Sequence, residues 1–92
     1  MTEQPPKIEF PSLYPIKVIM VHQTERSEAQ IEEVLVVVHD HAEPVDRRKL
    51  KLNPSRQGSY VSVSLEIMAT GEPQLKALHQ SLLALPYVKL VL

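Results

Sequence analysis

The chain of 92 residues contains no cysteine, no tryptophan and only two glycines. The absence of cysteine excludes disulfides, thiolate nucleophiles and sulfur-ligated metal sites. Gly58 and Gly71 stand far apart, so the chain has no glycine-rich loop of the kind that holds phosphate groups. We therefore expect a fold stabilised by packing alone, with no cofactor and no enzymatic activity.

Aromatic residues and excess charge are also scarce. Aromatics make up 4% of the chain, which predicts an aliphatic core and few surfaces for base stacking. The net charge of −1 and the isoelectric point of about 6.4 argue against nucleic-acid or anionic-membrane binding. No apolar run approaches the roughly 18 residues of a membrane span, and no signal-peptide pattern is present. These features predict a cytoplasmic protein that binds neither nucleic acid nor membrane.

The overall composition is that of one small globular domain. A hydrophobic fraction of 43% and a charged fraction of 23% are ordinary, and 92 residues suffice for a single core. Pro5 and Pro6 lie among polar residues and lack a backbone amide hydrogen, so residues 1–7 are predicted to form a disordered tail. Residues 8–92 are predicted to form the domain.

A strand and a helix are predicted in the first half of the chain. Residues 16–22 are short and rich in β-branched side chains, which is typical of a strand. Ser27 and Gln30 have the spacing of a capping box, which predicts a helix from Ser27 to about residue 41. The β-branched run at residues 34–38 would also suit a strand, but its position after the cap favours the helix.

The second half is predicted to contain two strands, a helix and a final strand. They are a short strand around Leu50 and Leu52, a turn at residues 53–58, a strand at 61–69, a helix between Pro73 and Pro86, and a strand at 88–92. The order β-α-β-β-α-β predicts an α+β ferredoxin-like plait. Its four-stranded antiparallel sheet has the strand order 4-1-3-2, with both helices on one face.

Several segments carry a family resemblance. They are Ile8-Glu-Phe-Pro11, Ile16-Lys-Val-Ile-Met20, Asn53-Pro-Ser-Arg-Gln-Gly-Ser-Tyr-Val-Ser-Val63, Ala69-Thr70 and Val88-Lys-Leu-Val-Leu92. With these segments the chain resembles the YbeD-like family of small bacterial proteins. The resemblance implies a ferredoxin-like plait similar to ACT-type regulatory domains, which bind small ligands and often dimerise. It implies no established activity and no catalytic residues.

The sequence His39-Asp40-His41, followed by Glu43, contains side chains that ligate metals. Histidines at the C-terminal end of a helix also complement the negative end of the helix dipole. In a helix, His39 and His41 would point in quite different directions, which does not suit a shared ion. We therefore predict no metal site.

A basic patch is predicted around the second strand. Five cations against the single acidic Asp46 give a local net charge of +4, and they are Arg47, Arg48, Lys49, Lys51 and Arg56. Such a patch would suit an acidic protein, a carboxylate ligand or RNA. A solvated edge strand explains it equally well, because lysines on an edge discourage pairing with another chain.

The outward face of the sheet is the strongest candidate surface. Alternation predicts that the helix-facing residues are Ile16, Val18, Met20, Val61, Val63, Leu65, Ile67, Leu90 and Leu92. The opposite face then carries an apolar centre with a charged rim, formed by Ile19, Val21, Met68 and Val91 with Lys17 and Lys89. This combination is typical of a ligand-binding or partner-binding surface.

These observations predict a small regulatory or ligand-sensing module that is not an enzyme. The alternative is an adaptor that docks another protein on the open sheet face or along an edge strand. Lys89 is the single charge of the final strand, so its edge is only lightly protected. We therefore also expect a weak symmetric homodimer that uses the sheet face, the final strand or both.

Overall fold

A computed structural model of the protein describes residues 11–92. Its main elements are β1 (Ser12–Val21), α1 (Ser27–His41), β2 (Lys51–Pro54), β3 (Tyr60–Ala69), α2 (Glu72–Leu83) and β4 (Val88–Val91). Short 3-10 turns at Thr24–Arg26 and Arg47–Lys49 precede α1 and β2. The predicted tail at residues 1–7 lies outside the described residues.

The strands form one antiparallel sheet in the order β2-β3-β1-β4. The predicted α+β plait and its strand order are therefore confirmed. The central strands β1 and β3 pair along their full length, from Ser12 opposite Ala69 to Val21 opposite Tyr60. This ladder fixes which side chains of both strands share a face.

The core lies between one face of the sheet and the two helices. Its strand residues include Ile16, Val18, Met20, Val63, Leu65 and Ile67, and its helix residues include Ile31, Val34, Leu35, Val38, Leu78 and Leu82. The predicted inward faces of the central strands and the inner stripe of the first helix are thus confirmed. The run at residues 34–38 is helical, and its spacing buries Val34, Leu35 and Val38 together on the core side of the helix.

The start of α1 differs from the predicted capping box. Ser27 is the first helical residue rather than the cap, and no side chain caps the helix at Arg26. Gln30 is fully buried, and its side-chain Oε1 accepts a hydrogen bond from the Gln23 backbone N–H at 3.3 Å. Its Nε2 donates to the Val21 carbonyl at 2.9 Å, so Gln30 joins the end of β1 to the first turn of the helix.

A second connection joins α1 to the start of β4. The Tyr87 hydroxyl donates to a carboxylate oxygen of Glu33 at 2.9 Å, and Arg26 pairs with the other oxygen of that carboxylate at 2.9 Å. The Val21 backbone N–H donates to the Tyr87 carbonyl at 2.8 Å. Tyr87, the residue before β4, therefore links α1 to β1, through its side-chain hydroxyl on one side and its backbone carbonyl on the other.

The hairpin between β2 and β3 is tighter than predicted. Asn53 and Pro54 belong to β2, where they pair with Ser62 and Val61, so the predicted turn at residues 53–58 begins too early. The Ser55 N–H donates to the Tyr60 carbonyl at 2.7 Å, which closes the loop. Gly58 has a φ of 74°, a left-handed conformation that favours glycine even though a side chain there would meet open space. Proline is tolerated in β2 because that strand lies at the edge of the sheet.

The register of β4 contradicts the prediction for its side chains. Val91 pairs with Val18 and Leu90 with Ile19, but Met20 pairs with Val88, so Lys89 is an extra residue in a bulge. Val91 is 7% exposed and belongs to the core, whereas Leu90 and Leu92 are 46% and 64% exposed. The predictions that Val91 points outward and that Leu90 and Leu92 face the helices are wrong. The bulge reverses the alternation within the strand, and strict alternation from Val88 could not reveal it.

Leu65 lies in the middle of this core, so its truncation should be costly. We expect Leu65→Ala to lower the free energy of unfolding by about 2 to 5 kcal/mol, through lost transfer energy and a residual cavity. Urea denaturation measures the change. Leu90→Ala is the matched control, because Leu90 is largely exposed and should change stability by about 0.5 kcal/mol or less. Equal effects for the two variants would contradict the register described above.

Tyr87 should ionise later than a free phenol. Burial, together with the hydrogen bond to Glu33 and its negative charge, raises the pKa of Tyr87, although Arg26 opposes the shift. A raised folded-state pKa means that the stabilisation is present below about pH 10, the ordinary tyrosine value, and is lost as pH rises through the folded pKa. The difference in tyrosinate absorbance between wild type and Tyr87→Phe reports the ionisation of Tyr87. We expect the midpoint of its pH titration to lie above about pH 10 in folded protein. In urea-unfolded protein the midpoint should return to the ordinary value, and a folded midpoint at or below it would contradict the network.

Candidate binding surface on the open sheet face

The face of the sheet opposite the helices is open in the described part of the chain. The strand register brings its residues into rows that cross the sheet. One row contains Lys17, Ser64 and Lys51, and the next contains Ile19 and Ser62. The face thus combines cationic, hydroxyl and aliphatic groups.

The structure places most of the predicted surface residues on this face. Ile19, Val21 and Met68 are half-buried there, and Lys17 is exposed. Lys89 is exposed at the β4 bulge. Val91 is absent from the face because it is part of the core.

Exposed leucines that the sequence interpretation missed take the place of Val91. Leu90 lies opposite Ile19, and Leu92 lies opposite Lys17, with which it exchanges two backbone hydrogen bonds of 2.8 and 3.0 Å. We call Ile19, Leu90 and Leu92 the leucine strip. A sequence signal existed only in the spacing of Val88 and Val91, two β-branched residues three apart that fit a core position on each side of a bulge.

The predicted basic patch is divided by local ion pairs. The Arg47 guanidinium donates to Glu32 at 2.5 Å and also to Glu28, and the hydrogen bond to Glu28 is the main cause of the raised pKa of Arg47. Arg48 donates its side chain and its backbone N–H to Asp46, and these bonds lower the pKa of that carboxyl group. Both arginines therefore have acidic partners nearby. Arg47 connects the 3-10 turn to α1, and Arg48 stabilises the turn through Asp46.

Arg56 is separated from the rest of the predicted patch. It lies in the turn between β2 and β3, on the exposed hairpin end. Lys49 and Lys51 instead line the same cavity as Lys17, which the sequence analysis had assigned to a different surface.

These three lysines surround a cavity of about 330 Å³. Its lining residues are Pro15, Ile16, Lys17, Val45, Lys49, Lys51, Ser64, Leu65, Glu66 and Leu92. We call this cavity the lysine cleft. Within residues 11–92, the salt bridges involve Arg26, Arg47 and Arg48, and none involves a lysine of the cleft.

The fold explains why the lysines converge. Lys17 and Lys51 each lie opposite Ser64, so two strand spacings of about 4.8 Å separate their backbones. Lys49 enters from the 3-10 turn that Arg47 fastens to α1. Three lysines therefore contribute positive charge to the lining of one cavity, which would attract an anion. Glu66 is the carboxylate among the lining residues, and Val45 and Leu92 supply apolar walls.

A neighbouring groove on the same face extends the cleft toward the hairpin. It has a volume of about 310 Å³ and includes Lys17, Ile19, Asn53, Tyr60 and Ser62 among its lining residues. Lys17 belongs to both depressions. The open face therefore offers two adjacent depressions with a cationic residue at their border.

His39 and His41, the candidate metal ligands of the sequence, contact different partners in the structure. His39 Nε2 accepts from the Val45 backbone N–H at 3.1 Å, and His41 Nε2 lies 3.0 Å from the Ser81 hydroxyl of α2. Both rings thus make contacts that hold the fold together. Within residues 11–92, no three histidine, aspartate or glutamate residues are grouped to hold a metal ion. Neither described helix has the length and apolar character needed to cross a membrane.

The comparisons with known sequences agree with one another. A family model described as "Protein of unknown function (DUF493)" matches residues 5–92. A UPF0250 protein from Azotobacter vinelandii is 43% identical over 90 residues, which cover 97% of this chain and 94% of that protein. The UPF0250 protein PA3998 of Pseudomonas aeruginosa is 40% identical over 90 residues, which cover 97% and 92%.

A solved structure has the same fold. The solution structure of protein HP0495 from H. pylori matches with a TM-score of 0.65 and covers 100% of this chain and 98% of that one. Its sequence is 20% identical, so this likeness concerns the fold alone. Because the family model and the relatives match nearly the whole sequence, the chain belongs to the DUF493/UPF0250 family of small bacterial proteins, the YbeD-like family that its segments resemble.

Proposed function

We propose that this protein is a non-catalytic regulatory module that senses a small anionic ligand in the lysine cleft. The observation that carries the proposal is the convergence of Lys17, Lys49 and Lys51 around one cavity, with no ion pair to any of them in residues 11–92. Three lysines and one carboxylate, that of Glu66, line the cavity, so its lining has a net positive charge that favours an anion. A carboxylate or phosphate group would be such an anion.

The size and lining of the cleft support a small molecule. A volume of about 330 Å³ lies at the lower end of the range for ligand pockets, roughly 300 to 1,000 Å³. Pro15, Val45 and Leu92 would contact an apolar part of the ligand, while Ser64 would donate a hydrogen bond near the charged part. The ligand class that fits is therefore a metabolite with one or two acidic groups and a short carbon skeleton.

The groups around the cleft favour binding over catalysis. Lys17, Lys49, Lys51, Ser64 and Glu66 are its polar side chains, and no histidine is among its lining residues. The serine has no adjacent general base of the histidine type, which nucleophilic catalysis by serine normally requires. The likeness of YbeD-like proteins to ACT-type domains supports a regulatory role, and sensing of a metabolite agrees with a cytoplasmic location.

The leucine strip favours a second function, in which the protein is an adaptor. Leu90 and Leu92 are large apolar side chains that are exposed to solvent and lie beside each other on one face, an arrangement that suits a partner-binding surface. Ligand sensing and docking of a partner would influence each other, because Lys17 and Leu92 border both the cleft and the strip.

Titration with small anions tests ligand sensing. We expect phosphate, citrate, succinate or glutamate, each added to millimolar concentration, to shift the backbone amide signals of residues around Lys17, Lys51 and Ser64. Lys17→Gln combined with Lys51→Gln should weaken binding by about tenfold or more, because hydrogen bonds to charged groups contribute roughly 1.5 to 3 kcal/mol each. Amide spectra of the variant verify that it is folded.

Lys76→Gln provides the matched control for this experiment. Lys76 is exposed on α2, away from the open face, and carries the same charge. Its substitution should leave ligand affinity unchanged. The proposal fails if none of the anions shifts the cleft residues, or if Lys76→Gln weakens binding as much as the cleft variant does.

A further inference from the structure

The leucine strip has the features of a docking surface in its own right. Leu90 and Leu92 are 46% and 64% exposed, although their neighbours Val88 and Val91 are buried. Ile19 lies directly opposite Leu90 on the adjacent strand. The three side chains therefore form one apolar patch that spans β1 and β4.

The sheet edges offer less to a partner than the face does. Both backbone groups of Leu92 bond to Lys17 and point into the sheet, and the bulge at Lys89 interrupts the outer edge of β4. Beyond Leu92, the exposed edge of β1 contains Pro15, which has no N–H to donate. At the opposite edge, β2 is four residues long and ends in Pro54. A partner that adds a strand would find few backbone groups to pair with.

A helix matches the geometry of the strip. Neighbouring strands are about 4.8 Å apart, and a helix with its side chains is about 10 Å across, so one helix covers β1 and β4 together. The opposite face of this sheet is already packed against α1 and α2. A helix on the open face would create a three-layer arrangement, which is a stable way to bury both faces of a sheet.

The charges beside the leucine strip determine which side chains would suit the two flanks of a docked helix. Lys17 lies opposite Leu92, and Lys89 precedes Leu90 in β4. Both lysines are exposed, and neither forms a salt bridge within residues 11–92. Glu66 pairs with Pro15 and lies on the far side of Lys17 from Leu90. Charge complementarity therefore calls for acidic residues on either side of the apolar contact.

We propose that the leucine strip binds an amphipathic helix of a partner protein, with an apolar face against Ile19, Leu90 and Leu92 and acidic flanks facing Lys17 and Lys89. The docked helix is a different ligand from the small anion of the lysine cleft, although the two sites share Lys17 and Leu92. Lys89 distinguishes the two sites, since it does not line the cleft.

The experiment uses a fluorescently labelled designed peptide of about 18 residues, roughly 27 Å long as a helix, with leucines on one face and glutamates on its flanks. A second peptide carries lysines in place of the glutamates. We expect the acidic peptide to bind at least about tenfold more tightly than the basic one, with an affinity that falls as salt concentration rises. Amide shifts should map its contacts to residues of β1 and β4.

Matched variants locate the contact. Leu90→Lys should weaken peptide binding by about tenfold or more, because it introduces a charge at the centre of the apolar contact. Leu83→Lys is the control, since Leu83 is 42% exposed on α2 and lies outside the strip. Lys89→Gln should weaken binding of the acidic peptide and leave anion binding in the cleft unchanged. Lys51→Gln should do the reverse, so failure of one site is distinguishable from failure of the other.

Several outcomes would overturn the proposal. Absence of binding at millimolar peptide, equal binding of the two peptides, or equal losses in Leu90→Lys and Leu83→Lys would each exclude a specific acidic helix. If light scattering instead shows that the chain associates with itself, and Leu90→Lys abolishes the association, a second copy occupies the strip and the proposed partner is wrong.

Discussion

The pairing of β1 with β3 is the constraint on which the rest of the structure depends. Ten consecutive residue pairs, from Ser12 opposite Ala69 to Val21 opposite Tyr60, run through the centre of the sheet without interruption. Because side chains alternate, a slip of one residue would exchange the core face for the open face along both strands. The hydrophobic content of the two faces prevents this, since Val18 and Val63 are fully buried together while Lys17 and Ser64 face outward together. The same ladder therefore secures the core and brings the polar groups of the cleft together.

Much of this architecture could be predicted from local patterns. The alternation of β3 and the helical spacing of α1 and α2 were sufficient to identify the plait, because each element carries its own periodicity. The ends of the helices and strands were harder to predict from the sequence. Ser27 and Gln30 have the spacing of a cap, but a 3-10 turn precedes the helix, and Gln30 instead satisfies backbone groups of Val21 and Gln23. Which backbone groups a glutamine side chain can reach depends on where the preceding strand lies in the folded protein. A local sequence pattern does not contain that information.

The candidate surface was only half predictable for similar reasons. Ile19 and Met68 follow from alternation within single strands. Lys17 and Lys51 lie 34 positions apart, and only the register through Ser64 shows that they line one cavity. Conversely, Arg47 and Arg48 immediately precede Lys49 in the sequence but form salt bridges outside the cleft. Arg47 reaches the carboxylates of α1, so its charge serves the packing of a loop rather than a binding surface.

The bulge at Lys89 determines which of the last described residues face the solvent. In an unbroken strand that begins with Val88 in the core, alternation would place Leu90 and Leu92 in the core and Val91 on the surface. Here one additional residue resets the alternation, so Leu90 and Leu92 lie outside while Val88 and Val91 remain in the core. The bulge therefore assigns the smaller valines to the core and the larger leucines to the surface at this end of the sheet. The protein can vary the side chains that it shows to other molecules there without altering the packing that stabilises its fold.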